Sequence, residues 1–174
     1  PSGKEYLLVD NIAPDELRQP SGARFVKKPR GEVLTVSFIG FIRYLERNLE
    51  IIDRLTRDER FRVEYHGAGA DYQRLCDYQA ALPAAQRDRL IIGGYYDQQR
   101  DRPQLYRRAD IINNYYPPAV RVQRLATSNK VYDALYFRRP QLVARGTYLE
   151  ELIAGWGVGA ALDAAVRAGF SAAL

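Results

Sequence analysis

The sequence TSNKVYDALYFRRPQLVA, residues 127–144, predicts a helix with a polar start, a proline at its end and a buried strand after it. Ser128 or Thr127 can accept hydrogen bonds from the first-turn N–H groups. Those N–H groups and the helix dipole favour an anion, and Lys130 adds a full positive charge there. The carboxylate of Asp133, one turn further along, could accept hydrogen bonds from sugar hydroxyls. This pattern is typical of a nucleotide site, although a capped surface helix with an i,i+3 ion pair would look the same.

Strands and helices are predicted to alternate around this stretch. Apolar, β-branched segments predict strands at residues 32–39, 61–66, 89–92, 109–113, 141–144 and 157–162. Helical patterns lie at residues 44–57, 70–81, 99–107 and 147–154 and from Asp163 onward. Residues 4–10 predict a short strand, residues 11–29 an irregular connection and residues 114–126 a loop. Because the strands lack polar alternation and are separated by helices, the sequence predicts an α/β fold, a doubly wound parallel sheet covered on both faces.

In such a sheet, ligands bind outside the carboxyl ends of the strands. This rule selects the segments 40–47, 67–71, 94–97, 113–116 and 128–133. Glycine follows three successive strands, which would let backbone N–H groups approach a ligand but is also common in any tight turn. Gly67-Ala68-Gly69 lacks the third glycine of the dinucleotide fingerprint, and no Gly-Lys-Ser/Thr phosphate loop occurs. The pattern therefore indicates a nucleotide only at the level of ligand class.

Composition narrows the function further. The 174 residues carry a net charge of +5 and are 47% hydrophobic, as expected of one soluble globular domain. Cys76 and His66 are the only residues of their kinds, which excludes an internal disulfide and multi-histidine metal sites and suits a reducing cytoplasm. We interpret His66 as a structural group at a strand end. The positive charge is mostly scattered arginine, which disfavours nucleic acid as the partner.

Nine short stretches carry a family resemblance. They are VSFIGFIRY (36–44), RNL (47–49), HGAG (66–69), GGYYD (93–97), LYRRADIIN (105–113), SNKVYDAL (128–135), RP (139–140), GTYLEE (146–151) and GVG (157–159). In this order they resemble the C-terminal, donor-binding Rossmann-like domain of a GT-B glycosyltransferase, of the family-four-like type that builds capsular and other surface polysaccharides. The segment LLVDNI (7–12) is similar to the strand and asparagine that lead into this domain from the acceptor domain. The resemblance therefore implies an interdomain linker and edge segment over residues 1–31 and a nucleotide-sugar-binding domain over residues 32–174, together half an enzyme.

The resemblance also implies roles for individual residues. Those implied to be catalytic, by stabilising the departing diphosphate, are Arg43, Arg47 and Lys130. Those implied to bind the donor are Gly40, Gly67, Gly94, Tyr95, Tyr96, Ser128, Asn129 and Asp133. Asp133 stands where the family usually has a glutamate that binds the ribose, and Leu125 stands where a second glutamate would contact the sugar. This second departure leaves the stereochemical outcome open.

The implied function is binding of a nucleoside diphosphate sugar for transfer to a polysaccharide or lipid-linked acceptor. No cofactor or metal is expected, because an Asp-x-Asp motif is absent. The expected partner is an N-terminal acceptor domain, missing here or on another chain, and the expected location is the cytoplasm with a peripheral inner-membrane contact. The isolated chain should bind donor without turnover. The alternatives are a non-enzymatic doubly wound domain that regulates a separate catalytic chain and, less favoured, a nucleic-acid-binding module.

Overall fold

The computed structural model describes residues 28–29, 31–119 and 121–163 of the chain. The strands are β1 (Leu34–Ile39), β2 (Phe61–His66), β3 (Leu90–Gly94), β4 (Ile111–Asn113), β5 (Gln141–Ala144) and β6 (Gly159–Leu162). The helices are α1 (Leu45–Arg57), α2 (Tyr72–Ala81), α3 (Ala84–Arg87), α4 (Arg102–Arg108), α5 (Arg121–Leu125), α6 (Asn129–Tyr136) and α7 (Tyr148–Trp156). All five strand pairings are parallel, and the six-stranded sheet has the order β3-β2-β1-β4-β5-β6.

This strand order places a topological switch point between β1 and β4. The chain builds outward from β1 to β3 on one side and from β4 to β6 on the other. The connections that leave β1 and β4 therefore diverge, which opens a crevice at their carboxyl ends. The doubly wound, Rossmann-like fold expected from the sequence is confirmed.

Apolar side chains cover both faces of the sheet. On one face, Phe38 and Tyr65 stack with ring centroids 5.0 Å apart and pack with Ile52 and Leu55 of α1. On the other face, the cluster that joins α4 and α6 to the sheet contains Ile39, Tyr106, Ile112, Ala134 and Phe137. Burial extends to polar strand residues: Ser37, Glu64 and His66 are buried, although β1 (LTVSFI) and β2 (FRVEYH) alternate apolar with polar residues, contrary to the expected lack of alternation.

Three sequence-based expectations differ from the structure. The segment 114–126 was expected to be a loop but contains α5, which at five residues is too short for an apolar period to repeat. The short helix α3 was not anticipated. The third strand continues to Gly94, because that residue pairs with His66 beyond a register shift in the ladder. The strand predicted at 4–10, nearly all of the connection at 11–29 and the helix predicted from Asp163, apart from Asp163 itself, lie outside the described residues.

The last turn of α7 offers a stability prediction. A Cβ built at Gly155 meets nothing within 4 Å. Gly155→Ala should therefore raise the free energy of unfolding by about 0.5–1 kcal/mol, because alanine restricts the unfolded chain and favours the helix. Urea denaturation would measure the gain. The reverse change at the exposed neighbour, Ala154→Gly, should cost a similar amount, and a loss of stability in Gly155→Ala would contradict the assignment of open space there.

Candidate functional site

A cleft of about 390 Å³ lies at the carboxyl edge of the sheet, at the switch point. Three segments line it: the turn after β1, the connection from β3 into α4, and the connection from β4 to the start of α6. Most of the residues implied to bind or to catalyse lie in this lining, namely Gly40, Arg43, Tyr96, Ser128, Asn129, Lys130 and Asp133. The fold therefore brings together residues that are up to 93 positions apart in the sequence, from Gly40 to Asp133 (133 − 40).

Four of the implied residues do not line the cleft. Arg47 lies on the exposed side of α1, where its guanidinium donates to Glu50 at 2.8 Å. Tyr95 is 83% exposed beside the cleft. Gly67 follows β2 and Gly94 ends β3, next to the turn after β1, and Gly67 N–H donates to Gly94 O at 2.7 Å. The catalytic and binding roles of all the implied residues, inside and outside the lining, stay predictions.

Lys130 reaches the cleft through a buried position. Lys130 is 6% exposed, and its Nζ donates to Tyr116 Oη at 2.6 Å. The ammonium also lies 4.3 Å from the centroid of the Phe38 ring and 5.0 Å from that of Tyr116, within cation–π range. A Cβ on Gly40 would come within 3.0 Å of Nζ, so glycine leaves the room that the ammonium occupies.

The start of α6 fixes where this lysine lies. Of the two possible caps, Ser128 takes the role, with extended backbone and its Oγ accepting from Lys130 N–H at 3.2 Å. Val131 and Ala134 are fully buried and hold the helix against the sheet. The first-turn N–H groups and the positive end of the helix dipole therefore lie beside the Lys130 ammonium at the cleft.

Asp133 pairs with an arginine that the sequence did not suggest. Its Oδ2 lies 3.5 Å from Arg102 Nη1, and the Tyr106 hydroxyl acts on the same carboxylate. The i,i+3 ion pair between Lys130 and Asp133, which was the alternative interpretation of the sequence, does not form. Asp133 pairs with Arg102 instead. Within the described residues, Lys130 has no carboxylate within ion-pair distance. A buried ammonium without a paired anion is a site that favours an anionic ligand.

Burial of Asp133 leads to a pH-dependent prediction. Burial raises the pKa of its carboxyl, and Arg102, Tyr106 and Lys130 oppose that rise without cancelling it. Since the pKa in the folded protein lies above the ordinary 3.8, the ionised carboxylate opposes folding at neutral pH, and this cost disappears below pH 3.8. Asp133→Asn should therefore raise the melting temperature at neutral pH, with a gain that vanishes on acidification. A fall in melting temperature at neutral pH would mean that the pair with Arg102 outweighs burial.

The turn after β1 is held by backbone hydrogen bonds that extend the sheet. Gly40 N–H donates to His66 O and Ile42 N–H donates to Ala68 O, both at 2.9 Å. The carboxylate of Asp71 then accepts from the first N–H of α1, that of Leu45, at 3.2 Å. These contacts hold the backbone on both sides of Arg43, whose side chain is exposed at the cleft.

His66 belongs to a buried charge cluster below the cleft rather than to its lining. Its Nε2 lies 3.0 Å from Glu64 Oε2, and Arg108 donates to the same oxygen at 3.1 Å. The hydrogen bond with His66, aided by Arg108, lowers the pKa of Glu64 despite its burial. The ring packs so closely on Gly93 that a Cβ there would lie 2.2 Å from Nδ1. This environment supports the structural interpretation of His66.

Sequence reasoning missed several cleft residues. Tyr116 follows β4 and lay within the segment selected by the strand-end rule, but nothing in the sequence linked it to Lys130. Arg102 and Tyr106 lie on α4, where an amphipathic pattern gives no sign that a side chain turns toward the crevice. In the ranges that the structure describes, no group of three or more His, Cys, Asp or Glu side chains could hold a metal ion. None of the helices described there is long and apolar enough to cross a bilayer.

Comparison with known proteins gives similarity in structure only. Neither a protein-family model nor a curated protein matches the sequence significantly. Among solved structures, WaaG, a glycosyltransferase involved in lipopolysaccharide biosynthesis, superposes with a TM-score of 0.58 at 14% identity over 87% of this chain. HepE from Anabaena in complex with UDP gives 0.52 at 16% identity over 81% of this chain. The lipopolysaccharide outer core galactosyltransferase WaaB gives 0.53 at 14% identity over 71%.

The chain is much shorter than these proteins. It spans 41% of WaaG, 36% of HepE and 33% of WaaB. At such low identities the likeness concerns the backbone arrangement. The six-stranded parallel sheet with helices on both faces is the Rossmann-like fold found in GT-B glycosyltransferases.

Proposed function

We propose that this chain is the nucleotide-sugar-binding domain of a glycosyltransferase. The observation that carries the proposal is the buried Lys130 ammonium, which lies at the switch-point cleft beside a helix start and has no carboxylate partner within the described residues. The diphosphate of a sugar donor would supply the negative charge that this arrangement favours. The structures of HepE with UDP and with UDP-glucose support a donor of this class for the shared fold.

The proposed chemistry is stabilisation of the leaving group. When the sugar departs, negative charge accumulates on the nucleoside diphosphate. Lys130, the first-turn N–H groups of α6 and the exposed guanidinium of Arg43 would stabilise that charge without a metal ion. Asp133 would accept from the ribose hydroxyls, and Tyr96, which lines the same cleft, would stack on the base.

The finer parts of the function are proposals of the same kind. We place the chain on the C-terminal side of a GT-B enzyme of capsular or other surface polysaccharide synthesis, with residues 1–31 as linker. The acceptor would bind to a separate domain, and the whole enzyme would work in the cytoplasm with a peripheral contact at the inner membrane. Robust sugar transfer by the isolated 174-residue chain would contradict the proposal that the acceptor binds to a separate domain.

Calorimetric titration of the chain with UDP, GDP, ADP and dTDP, with EDTA present throughout, tests the proposal. We expect selective binding of one nucleotide that is insensitive to EDTA. No binding of any of them up to millimolar concentration would contradict the proposal and favour a non-enzymatic interaction domain. Binding of any DNA or RNA with a steep salt dependence would favour the nucleic-acid alternative.

A further inference from the structure

Tyr116 connects the end of β4 to the lysine at the start of α6. Tyr116 is 8% exposed and lines the cleft, and its hydroxyl accepts a hydrogen bond from Lys130 at 2.6 Å. The Tyr116 ring lies 5.0 Å from the ammonium, and the Phe38 ring lies 4.3 Å from it. With Gly40 close by, the ammonium has an aromatic surface on two sides and a glycine turn on a third.

The preceding residue shows that this contact is specific to one tyrosine. Tyr115 is also buried but belongs to the core cluster that contains α1 residues, where the charges that act on its hydroxyl are those of Arg47, Glu50 and Asp163. Its backbone N–H donates to Asn113 Oδ1 at 3.0 Å, which fixes the chain as it leaves β4. Of the two adjacent tyrosines, only Tyr116 lines the cleft.

The chemistry of the contact leaves the lysine able to bind a ligand. A lysine ammonium has three N–H donors, and Tyr116 Oη takes one of them. The rings stabilise the positive charge but accept no conventional hydrogen bond. The remaining donors are available to phosphate oxygens. A long, flexible side chain is thereby held in one geometry before the ligand arrives, which reduces the entropy lost on binding.

We infer that Tyr116 is a positioning residue that holds the Lys130 ammonium for the diphosphate. The inference rests on the proposed donor-binding function and adds to it a residue that lies outside the motifs of the resemblance. It requires that the tyrosine hydroxyl act through the lysine. Loss of the hydroxyl should therefore matter only while the lysine is present.

A double-mutant cycle on UDP affinity, measured by calorimetry, tests this requirement. Tyr116→Phe keeps the ring and removes the acceptor, so we expect UDP binding to weaken about tenfold. In a Lys130→Met background the same substitution should change the affinity by less than about twofold. Equal losses in both backgrounds, or no loss in either, would overturn the inference even though UDP binding itself supports the proposed function.

Tyr115→Phe is the matched control. It removes a hydroxyl from the adjacent buried tyrosine, which packs in the core cluster with α1, and should leave UDP affinity within about twofold of the unmodified chain. Melting temperatures of the two variants should be similar. If Tyr115→Phe weakens UDP binding as much as Tyr116→Phe, the effect is a general one on the fold and the inference is wrong.

A second measurement tests the contact without any nucleotide. The sequence contains lysine only at positions 4, 27, 28 and 130, so acetylation followed by peptide mass spectrometry can follow Lys130 alone. We expect Lys130 to react several times faster in Tyr116→Phe than in the unmodified chain. Equal rates would overturn the positioning role. Failure of the unmodified chain to bind any of UDP, GDP, ADP and dTDP would instead overturn the proposed function, and with it the role assigned to the contact.

Discussion

Gly67→Ala should lower the free energy of unfolding by more than about 3 kcal/mol. A Cβ at this position would lie 1.8 Å from the carbonyl oxygen of Gly40, and the backbone φ of +143° is one that side-chain-bearing residues rarely adopt. Neither backbone can move aside easily, because Gly67 N–H bonds to Gly94 O and Gly40 N–H bonds to His66 O. The substitution therefore pushes the turn after β2 away from the turn after β1, which lines the cleft.

Urea denaturation would measure this effect, with Gly146→Ala as the control. Gly146 also has a positive φ, of +77°, but a Cβ there meets nothing within 4 Å. Its replacement should cost only the conformational strain, about 1 kcal/mol. Similar losses in the two variants would show that the close approach of Gly67 to Gly40 does not limit stability.

Lys130→Met should weaken binding of the nucleoside diphosphate about ten- to hundredfold, because a charge-assisted hydrogen bond to phosphate is lost from a buried site. The same change should leave the melting temperature unchanged or higher. Methionine has a similar length and places an apolar group between two aromatic rings, where an ammonium with one hydroxyl acceptor was buried. Loss of function with retained stability is the expected signature of a residue kept for its ligand.

Arg57→Ala controls for the change in net charge. Arg57 ends α1 and pairs with Asp53 on the exposed surface, outside the cleft lining. Its removal also takes away one positive charge and should alter nucleotide affinity by less than about twofold at physiological salt. An equal loss of nucleotide affinity in both variants would mean that binding depends only on the net charge of the chain. A large drop in melting temperature for Lys130→Met would mean that the lysine is needed for folding stability.

The sequence predicted the fold well because the physical signals were local. Strand-forming segments are bounded by turn residues next to them in the sequence, and the predicted limits for 61–66 and 141–144 coincide with β2 and β5. Where the signal weakens, the predictions fail. Helix α5 has only five residues, too few for an apolar period to repeat, and the extension of β3 to Gly94 depends on pairing with a distant strand.

The candidate site was predictable in outline but not in its contacts. The cap at Ser128 and the charge of Lys130 could be read from neighbouring residues, and the structure places both at the cleft. Partners that come from other segments could not. Nothing in the sequence shows that Asp133 meets Arg102, that Tyr116 meets Lys130, or that Arg47 lies on the side of α1 facing Glu50. Gly67 was interpreted as a ligand contact, whereas its closeness to the Gly40 backbone already accounts for glycine there.

The most direct test of the central claim is a titration of the isotopically labelled chain with UDP, followed by backbone amide chemical shifts. Binding at the switch point predicts that the largest saturable changes occur at Gly40, Phe41, Asn129 and Lys130, on the turn after β1 and the first turn of α6. No change with any of UDP, GDP, ADP and dTDP at millimolar concentration would contradict the account. So would changes centred instead on the separate groove at the opposite end of α6, beside Arg138, Pro140 and Val158.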